Sequence, residues 1–256
     1  MTALVAGRAT LALILREMST SYGRTPGGYL WAVAEPVAAV ALLTVVFALA
    51  FDHPPIGRDF ALFYASGYLP FAYYSDLVQK IGVALRFSRP LMAYPKVSWW
   101  DALMARFLLN SLTNLVVIGL VLGAIVALSR TPLRPDAGAL AAGLGLAAAL
   151  GAGLGVLNAF LFEAFPIWER AWAILNRPLF ILSGVLFLPD AVPRPYDDWI
   201  WLNPLVHVIA QMRAGLYSGY APDALSPGYV LGIAALSLLV GLLLLRRHAR
   251  QLLDRI

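Results

Sequence analysis

The feature that most constrains this chain is a series of apolar runs too long for a soluble core. Residues 32–51 carry a single charge, Glu35, and no charged residue follows Asp136 until Glu163. Each run is long enough to cross a hydrocarbon layer of about 30 Å as a helix. Of the 256 residues, 61% are hydrophobic and 13% are charged, whereas soluble domains have about 25% charged residues. We therefore expect one membrane domain, residues 1–256, without a separate globular domain.

The pattern of apolar runs predicts an all-α membrane protein with six transmembrane helices. Residues 1–27 precede the first run, and a helix over 3–18 is typical of an amphipathic helix in the membrane interface; a short first span is the alternative. Residues 189–227 hold six prolines and no run long enough to cross. They predict two short interfacial or re-entrant helices between the fifth and sixth spans. The predicted spans are residues 28–51, 60–84, 99–128, 137–162, 167–188 and 228–245.

The distribution of basic residues predicts the orientation of these spans. With six crossings both termini lie on one side, and that side carries most of the 19 Lys and Arg residues, while acidic residues divide evenly. Cytoplasmic loops carry the excess of Lys and Arg, so both termini are expected in the cytoplasm. Residues 1–27 are then cytoplasmic and residues 189–227 periplasmic. The sidedness of the net charge of +5 argues for a membrane orientation signal and against nucleic-acid binding.

Several kinds of site are missing from the sequence. No Gly-Lys dipeptide occurs, so the phosphate-binding P-loop is absent and ATP hydrolysis would need a partner chain. The chain has no cysteine and three widely spaced histidines, so no metal site is expected. We see no nucleophile with a neighbouring base, which argues against an intramembrane enzyme. The chain itself is therefore predicted to be no enzyme and to bind no cofactor.

Residues 86–98 form a basic, proline-punctuated stretch with an apolar centre, RFSRPLMAYPKVS. A short helix over residues 90–94 would place Leu91, Met92 and Tyr94 where they can enter a groove on a cytoplasmic partner. An ordinary positive loop explains the composition equally well.

Aromatic residues crowd the second predicted span. Tyr64, Tyr68 and Tyr74 lie well inside it, where they would either stack on sugar rings or pack against neighbouring helices. In the fifth predicted span Arg177 precedes Pro178. A buried cation at membrane depth is costly, so Arg177 either meets an anionic group in a channel or extends to the cytoplasmic surface.

Two segments resemble the ABC-2 type permeases, and within them the capsular polysaccharide export permeases of Gram-negative bacteria. Residues 15–36, LREMSTSYGRTPGGYLWAVAEP, hold an Arg-Glu pair, a Tyr-Gly-Arg element and the Gly-Tyr-Leu-Trp-Ala-x-x-Glu-Pro start of the first span. Residues 201–220, WLNPLVHVIAQMRAGLYSGY, hold Asn-Pro-Leu-Val-His followed by Arg and Gly-Tyr. Arg177–Pro178 is a weaker third match. Together the matches cover about a quarter of the chain.

The resemblance implies an ABC-2 (type V) exporter fold and a homodimer joined by two ATP-binding-cassette subunits, which would bind ATP and Mg²⁺. The dimer would export lipid-linked capsular polysaccharide across the bacterial inner membrane, from cytoplasm to periplasm, to periplasmic and outer-membrane export proteins. Another glycan lipid, such as an O-antigen or teichoic acid precursor, is the alternative cargo. A secondary transporter is a less favoured alternative.

The resemblance also implies roles for residues. It makes 86–98 the coupling loop, and the candidates there are Arg89, Pro90, Leu91, Met92, Tyr94 and Lys96. Residues 189–227 become periplasmic gate helices, with candidates Asn203, Pro204, His207 and Arg213. Candidate substrate or channel residues are Arg24, Trp31, Tyr64, Tyr68, Tyr74 and Arg177; Arg24 lies where a phosphate of the cargo would enter, and a cation suits that anion.

Overall fold

The computed structural model describes residues 10–16, 27–92, 97–129 and 134–254. The regular structure in these ranges is helical with no β strand, which confirms the all-α prediction for them. The described part of α1 covers residues 10–16. The other helices are α2 (Gly28–Ala50), α3 (Phe60–Gly82), α4 (Ala84–Met92), α5 (Trp99–Leu128), α6 (Ala137–Ala164), α7 (Pro166–Leu182), α8 (Tyr196–Trp201), α9 (Pro204–Leu216) and α10 (Pro227–Asp254).

Four helices are long and apolar enough to cross a membrane. They are Leu30–Ala50, Trp99–Leu128, Ala137–Ala164 and Pro227–His248, which lie in α2, α5, α6 and α10. The second and fifth predicted spans correspond to α3, which carries more polar side chains, and to α7, which has only 17 residues. By length and composition the described residues therefore contain four candidate spans.

Two predicted boundaries were wrong. The fifth span was expected to reach residue 188, but α7 ends at Leu182 because Gly184 takes a left-handed conformation, with φ of 76°, that ends helices. The short helix expected over residues 90–94 instead begins at Ala84. A turn at the single residue Val83 separates it from α3, and Phe87 N–H donates to the Val83 carbonyl.

The core forms where α6 packs against α3, α9 and α10. Small residues allow this approach: a Cβ added at Gly153 would lie 2.3 Å from the Ala234 carbonyl oxygen, and one at Gly241 would lie 2.7 Å from the Leu157 amide nitrogen. Backbone from α6 and α10 is therefore in direct contact, which small residues at helix interfaces permit. Two helices stay peripheral: α7 buries no residue, and only 6% of the apolar window in α2 is buried.

Residues 189–227 contain short helices, as predicted. A 3-10 turn at Pro189–Ala191 leads to α8, and α9 follows after Leu202 and Asn203. With 6 and 13 residues, neither helix is long enough to cross a bilayer, since about 20 residues are needed.

Candidate functional site

A polar cavity of about 470 Å³ lies between α2, α3 and α5. It contains two of the predicted substrate residues, Trp31 on α2 and Tyr68 on α3. Its charged and amide side chains are Glu35, Asp76, Lys80 and Asn114. A cavity of this size is within the range of small-molecule sites, and ionisable residues at membrane depth usually mark functional sites.

The cavity wall is held in place by hydrogen bonds between α3 and α5. Asn114 Nδ2 donates to Asp76 Oδ2 at 2.8 Å and to the Asn110 carbonyl oxygen at 2.9 Å. The amide thus fixes the position of the carboxylate, and Lys80 lies one turn further along α3 on the same cavity. Asn114 gives no signal in the sequence, because its partner Asp76 is 38 residues away.

The other predicted substrate residues lie elsewhere. Tyr64 and Tyr74 are each 1% exposed, and the Tyr64 ring packs 4.9 Å from Phe47 and 5.2 Å from Phe63. This burial favours the packing alternative for both tyrosines. Arg177 is exposed on the surface of α7. Arg24 lies outside the described residues.

One basic residue of α4 connects three helices. Arg86 Nε lies 3.3 Å from Glu163 Oε1 near the end of α6, and Arg86 Nη1 lies 2.9 Å from Glu169 Oε2 in the first turn of α7. The hydrogen bond that Arg86 donates to the Glu169 carboxylate raises the pKa of Arg86 above its usual value. Arg86 was not among the residues predicted from the sequence. The signal in the sequence was the pair Glu163 and Glu169 on either side of Pro166, which begins α7.

The same short helix also contacts α1 and α5. The guanidinium carbon of Arg106 lies 4.1 Å from the centre of the Phe87 ring, and that of Arg16 lies 5.9 Å from it. Both arrangements are within cation–π range. The helix α4 is therefore fixed to α1, α5, α6 and α7 through Arg86 and Phe87.

The predicted coupling residues are only partly described. Pro90 is exposed, and Arg89 and Met92 are half-buried near the end of α4. Leu91 lies in the same turn. Tyr94 and Lys96 lie outside the described residues.

His207 joins the short helices to the start of α10. Its Nε2 lies 2.8 Å from the Trp201 carbonyl oxygen, and its Nδ1 accepts a hydrogen bond of 3.1 Å from the Ser226 amide. An acceptor at Nδ1 leaves Nε2 as the protonated nitrogen, so these contacts require the neutral ring. Burial lowers the pKa of His207 below the usual 6.5.

Asn203 and Pro204 define the turn between α8 and α9. Asn203 Oδ1 accepts from the Leu205 amide at 3.0 Å and Asn203 Nδ2 donates to Ser183 Oγ at 3.1 Å. Pro204 occupies the first position of α9, where its missing N–H costs nothing. The turn is thus attached to the end of α7.

Arg213 is completely buried, with an exposed fraction of 0%. Its Nη1 and Nη2 donate to the carbonyl oxygens of Phe187 and Val185, each at 3.0 Å. Its guanidinium carbon lies 4.2 Å from the centre of the Phe63 ring. Arg213 therefore fixes the segment after α7 to both α9 and α3.

A family model for the ABC-2 type transporter matches residues 8–217. The chain belongs to the ABC-2 type transporter family. This assignment confirms the resemblance seen in residues 15–36 and 201–220. Among the described residues of this ABC-2 protein, no three His, Asp or Glu side chains gather as metal ligands.

Curated relatives of the ABC-2 protein match it over nearly the whole chain. The polysialic acid transport protein KpsM of Escherichia coli is 28% identical over 242 residues, 94% of each chain. CtrC of Neisseria meningitidis and BexB of Haemophilus influenzae are named as capsule polysaccharide export inner-membrane proteins. CtrC is 24% identical over 250 residues and BexB 20% over 246, each covering 96% of this chain and 93% of the relative.

Proposed function

We propose that this ABC-2 protein is the membrane-spanning subunit of an ATP-driven exporter that moves lipid-linked capsular polysaccharide from the cytoplasm to the periplasm. The observation that carries the proposal is the agreement of relatives such as KpsM and CtrC, which match over 94% and 96% of this chain and are named for polysialic acid transport or capsule export. The family match to residues 8–217 supports a transporter subunit. The protein would reside in the bacterial inner membrane.

The proposed topology has six spans, with α3 and α7 as the second and fifth and both termini in the cytoplasm. The burial of α3 supports this: its side chains from Leu62 to Gly82 are mostly enclosed by other helices, so a polar composition need not meet lipid. The short helices α8 and α9 would be periplasmic re-entrant gate helices. Their hydrogen-bonded junction around Asn203 and His207 supports a compact unit that moves as one piece.

The exporter would be a homodimer with two ATP-binding-cassette subunits, which bind ATP and Mg²⁺ and hydrolyse the nucleotide. The ATPase would bind at the end of α4 and the residues that follow it, through Arg89, Pro90, Leu91, Met92, Tyr94 and Lys96. The links of α4 to α6 and α7 through Arg86 support transmission of movement from this segment into the membrane. Periplasmic and outer-membrane export proteins would receive the glycan.

The substrate would contact Arg24, Trp31, Tyr68 and Arg177. Trp31 and Tyr68 line one polar cavity, and this supports sugar contacts because aromatic side chains stack on sugar rings. The carboxylates of the same cavity would accept hydrogen bonds from sugar hydroxyls. Tyr64 and Tyr74, each 1% exposed, would instead stabilise the fold through packing. Asn203, Pro204, His207 and Arg213 would form the gate.

The test is reconstitution of this chain with co-purified ATP-binding subunits in inverted vesicles. We expect ATP-dependent uptake of labelled glycan lipid, and we expect Met92→Glu to abolish uptake while the dimer persists. Gln79→Glu adds the same charge at an exposed site at the end of α3 and should leave uptake unchanged. Uptake driven by a proton gradient without nucleotide would show a secondary transporter instead.

A further inference from the structure

Two peripheral helices each carry one exposed charge. Glu35 is exposed on α2 and Arg177 is exposed on α7. Only 6% of the apolar window in α2 is buried, and α7 buries no residue. Within the described part of the chain, neither charge has an ion-pair partner. An unpaired charge is costly at membrane depth, so both helices need a neighbour that supplies the opposite charge.

Both helices border the same side of α3. Glu35 of α2 lines the polar cavity together with Tyr68 of α3. The Tyr68 ring also lies 6.3 Å from the ring of Phe180 on α7. A second copy of the chain placed over this side of α3 would therefore meet α2 and α7 together.

The two charges lie at the depth of one cavity. The polar cavity extends along α3 from Tyr68 to Lys80, and Glu35 lines it. Asn176, the residue before Arg177, donates from Nδ2 to Ser75 Oγ at 2.6 Å. Because Ser75 lies between the two ends of the cavity on α3, Arg177 is at the level of the cavity as well.

Two-fold symmetry limits how these helices can meet in a dimer. In a symmetric dimer the same surface of both copies is used, so that every contact between two different residues occurs twice. A seam of α2 against α2 would bring two Glu35 carboxylates together, and a seam of α7 against α7 would bring two Arg177 guanidinium groups together. Like charges in contact destabilise an interface. Of these arrangements, only the crossed one, with α2 of one copy against α7 of the other, pairs opposite charges.

We propose that Glu35 of one copy forms an ion pair with Arg177 of the second copy, so that each copy completes the polar cavity of the other. This inference rests on the homodimer of the proposed function. The cavity of a single copy holds two carboxylates, Glu35 and Asp76, and one amine, Lys80. A guanidinium from the second copy balances these charges.

The crossed pair also gathers proposed substrate residues at one site. Within one copy, Trp31 and Tyr68 line the cavity and Arg177 does not. In the crossed dimer, Arg177 of the second copy reaches the cavity that these two aromatic residues line. The site is therefore incomplete in a single copy.

Charge exchange between two differently tagged copies tests the pair without measuring transport. Both copies are co-expressed with the ATP-binding subunits, and native mass spectrometry counts the complexes that carry both tags. Parent copies should pair at random, so that about half of the complexes carry both tags. A Glu35→Arg copy with an Arg177→Glu copy should give at least tenfold more mixed complexes than homodimers, because only mixed seams pair opposite charges.

A double exchange reverses this expectation. A copy with both Glu35→Arg and Arg177→Glu matches itself but meets like charges at both seams with a parent copy. Mixed complexes should then be at least tenfold rarer than homodimers. An ion pair within one copy instead predicts random pairing in both experiments.

Matched variants control for folding and for position. Arg170→Glu changes another exposed arginine of α7, and together with a Glu35→Arg copy it should give no excess of mixed complexes. Should a reversed charge prevent membrane insertion, a Glu35→Gln copy and an Arg177→Gln copy replace the charged variants. Their mixed complexes keep one intact pair, which neither homodimer has, and should outnumber the homodimers at least threefold.

The outcomes separate this inference from the proposed function. Random pairing of the exchanged copies overturns the ion pair, and parent complexes that never carry both tags overturn the homodimer on which it rests. ATP-driven glycan uptake is measured on the parent complexes. Uptake combined with random pairing refutes only the ion pair, whereas charge-directed pairing without uptake refutes only the proposed cargo.

Discussion

Replacing Arg213 by methionine tests whether a buried cation holds the proposed gate together. Methionine keeps an unbranched apolar stem but removes both hydrogen bonds to the Val185 and Phe187 carbonyls and the contact with Phe63. Residues 185–187 then lose their side-chain hydrogen bonds to α9, while Ser183 keeps its contact with Asn203. We expect this segment to open locally while the helices around it remain folded.

The size of the effect follows from opposing contributions. Hydrogen bonds from a charged donor contribute about 1.5–3 kcal/mol each, and a desolvated cation–π contact adds about 2 kcal/mol. Against this, burying a cation costs several kcal/mol, which methionine avoids. The net loss should be about 3 kcal/mol for closing the segment. That corresponds to a roughly 100-fold increase in its open population.

Thiol labelling measures this population directly, because the natural chain has no cysteine. Leu186→Cys places one thiol in the half-buried segment, and its maleimide reaction rate in nanodiscs reports opening. We expect a rise approaching 100-fold in the Arg213→Met background and no change with Arg58→Met, which alters an exposed arginine. A rate within threefold of the parent would refute the anchoring role of Arg213.

Three further perturbations have defined outcomes. Because burial lowers the pKa of His207 below 6.5, unfolded chains bind its proton first as the pH falls, so stability present above pH 6.5 is lost below it. Thermal unfolding in nanodiscs should show this loss between about pH 7.5 and about pH 5.5, one unit either side of 6.5, and an equal loss in His207→Gln would contradict it. Arg86→Glu places a third carboxylate beside Glu163 and Glu169, so it should lower stability by more than the roughly 1 kcal/mol of an exposed ion pair and reduce ATP-driven uptake. A second change, Glu169→Arg, should restore uptake, and no rescue would argue against the link. Asn203→Ala removes the helix cap and should lower stability by about 1 kcal/mol, whereas Asn203→Asp keeps the cap and should lower it less; equal losses measured by thermal unfolding would assign the effect to the Ser183 contact.

The long helices could be predicted because one physical signal determines them. An uncharged run such as 137–162 has to be helical to satisfy its backbone in lipid, and α6 extends from Ala137 to Ala164. The residue before it, Asp136, is a helix cap that can be recognised in the sequence: its Oδ1 accepts hydrogen bonds from the Gly138 and Ala139 amides. Run length and capping therefore agree at this helix.

The shorter helices were less predictable because local and tertiary preferences compete there. Pro90 favours the first turn of a helix and suggested a start at that residue, yet it lies in the last turn of α4. Phe87 and Arg86 contact residues on four other helices. These contacts favour a helix that begins before Pro90. Such contacts between distant residues leave no periodic signal.

Some residues of the candidate site could likewise be predicted from the sequence, and others could not. Trp31 and Tyr68 were selected by residue type and resemblance, and the structure brings them to one cavity. Tyr64 and Tyr74 were selected by the same criteria but lie in the core, because a helix enclosed on most sides buries aromatic side chains in several directions. Residue type alone could not indicate which direction each tyrosine takes.

The peripheral helices carry polar groups that lipid cannot satisfy. Glu35 is exposed on α2 and Arg177 is exposed on α7, and charged side chains facing hydrocarbon cost at least about 2.5–3.5 kcal/mol each. Yet α7 is held in place close to Arg177, since Asn176 Nδ2 donates to Ser75 Oγ at 2.6 Å. In the proposed six-span topology these exposed charges would therefore require an aqueous or protein neighbour. A second copy of the chain enclosing a hydrated path between these helices would supply one, which is the arrangement that the proposed exporter needs.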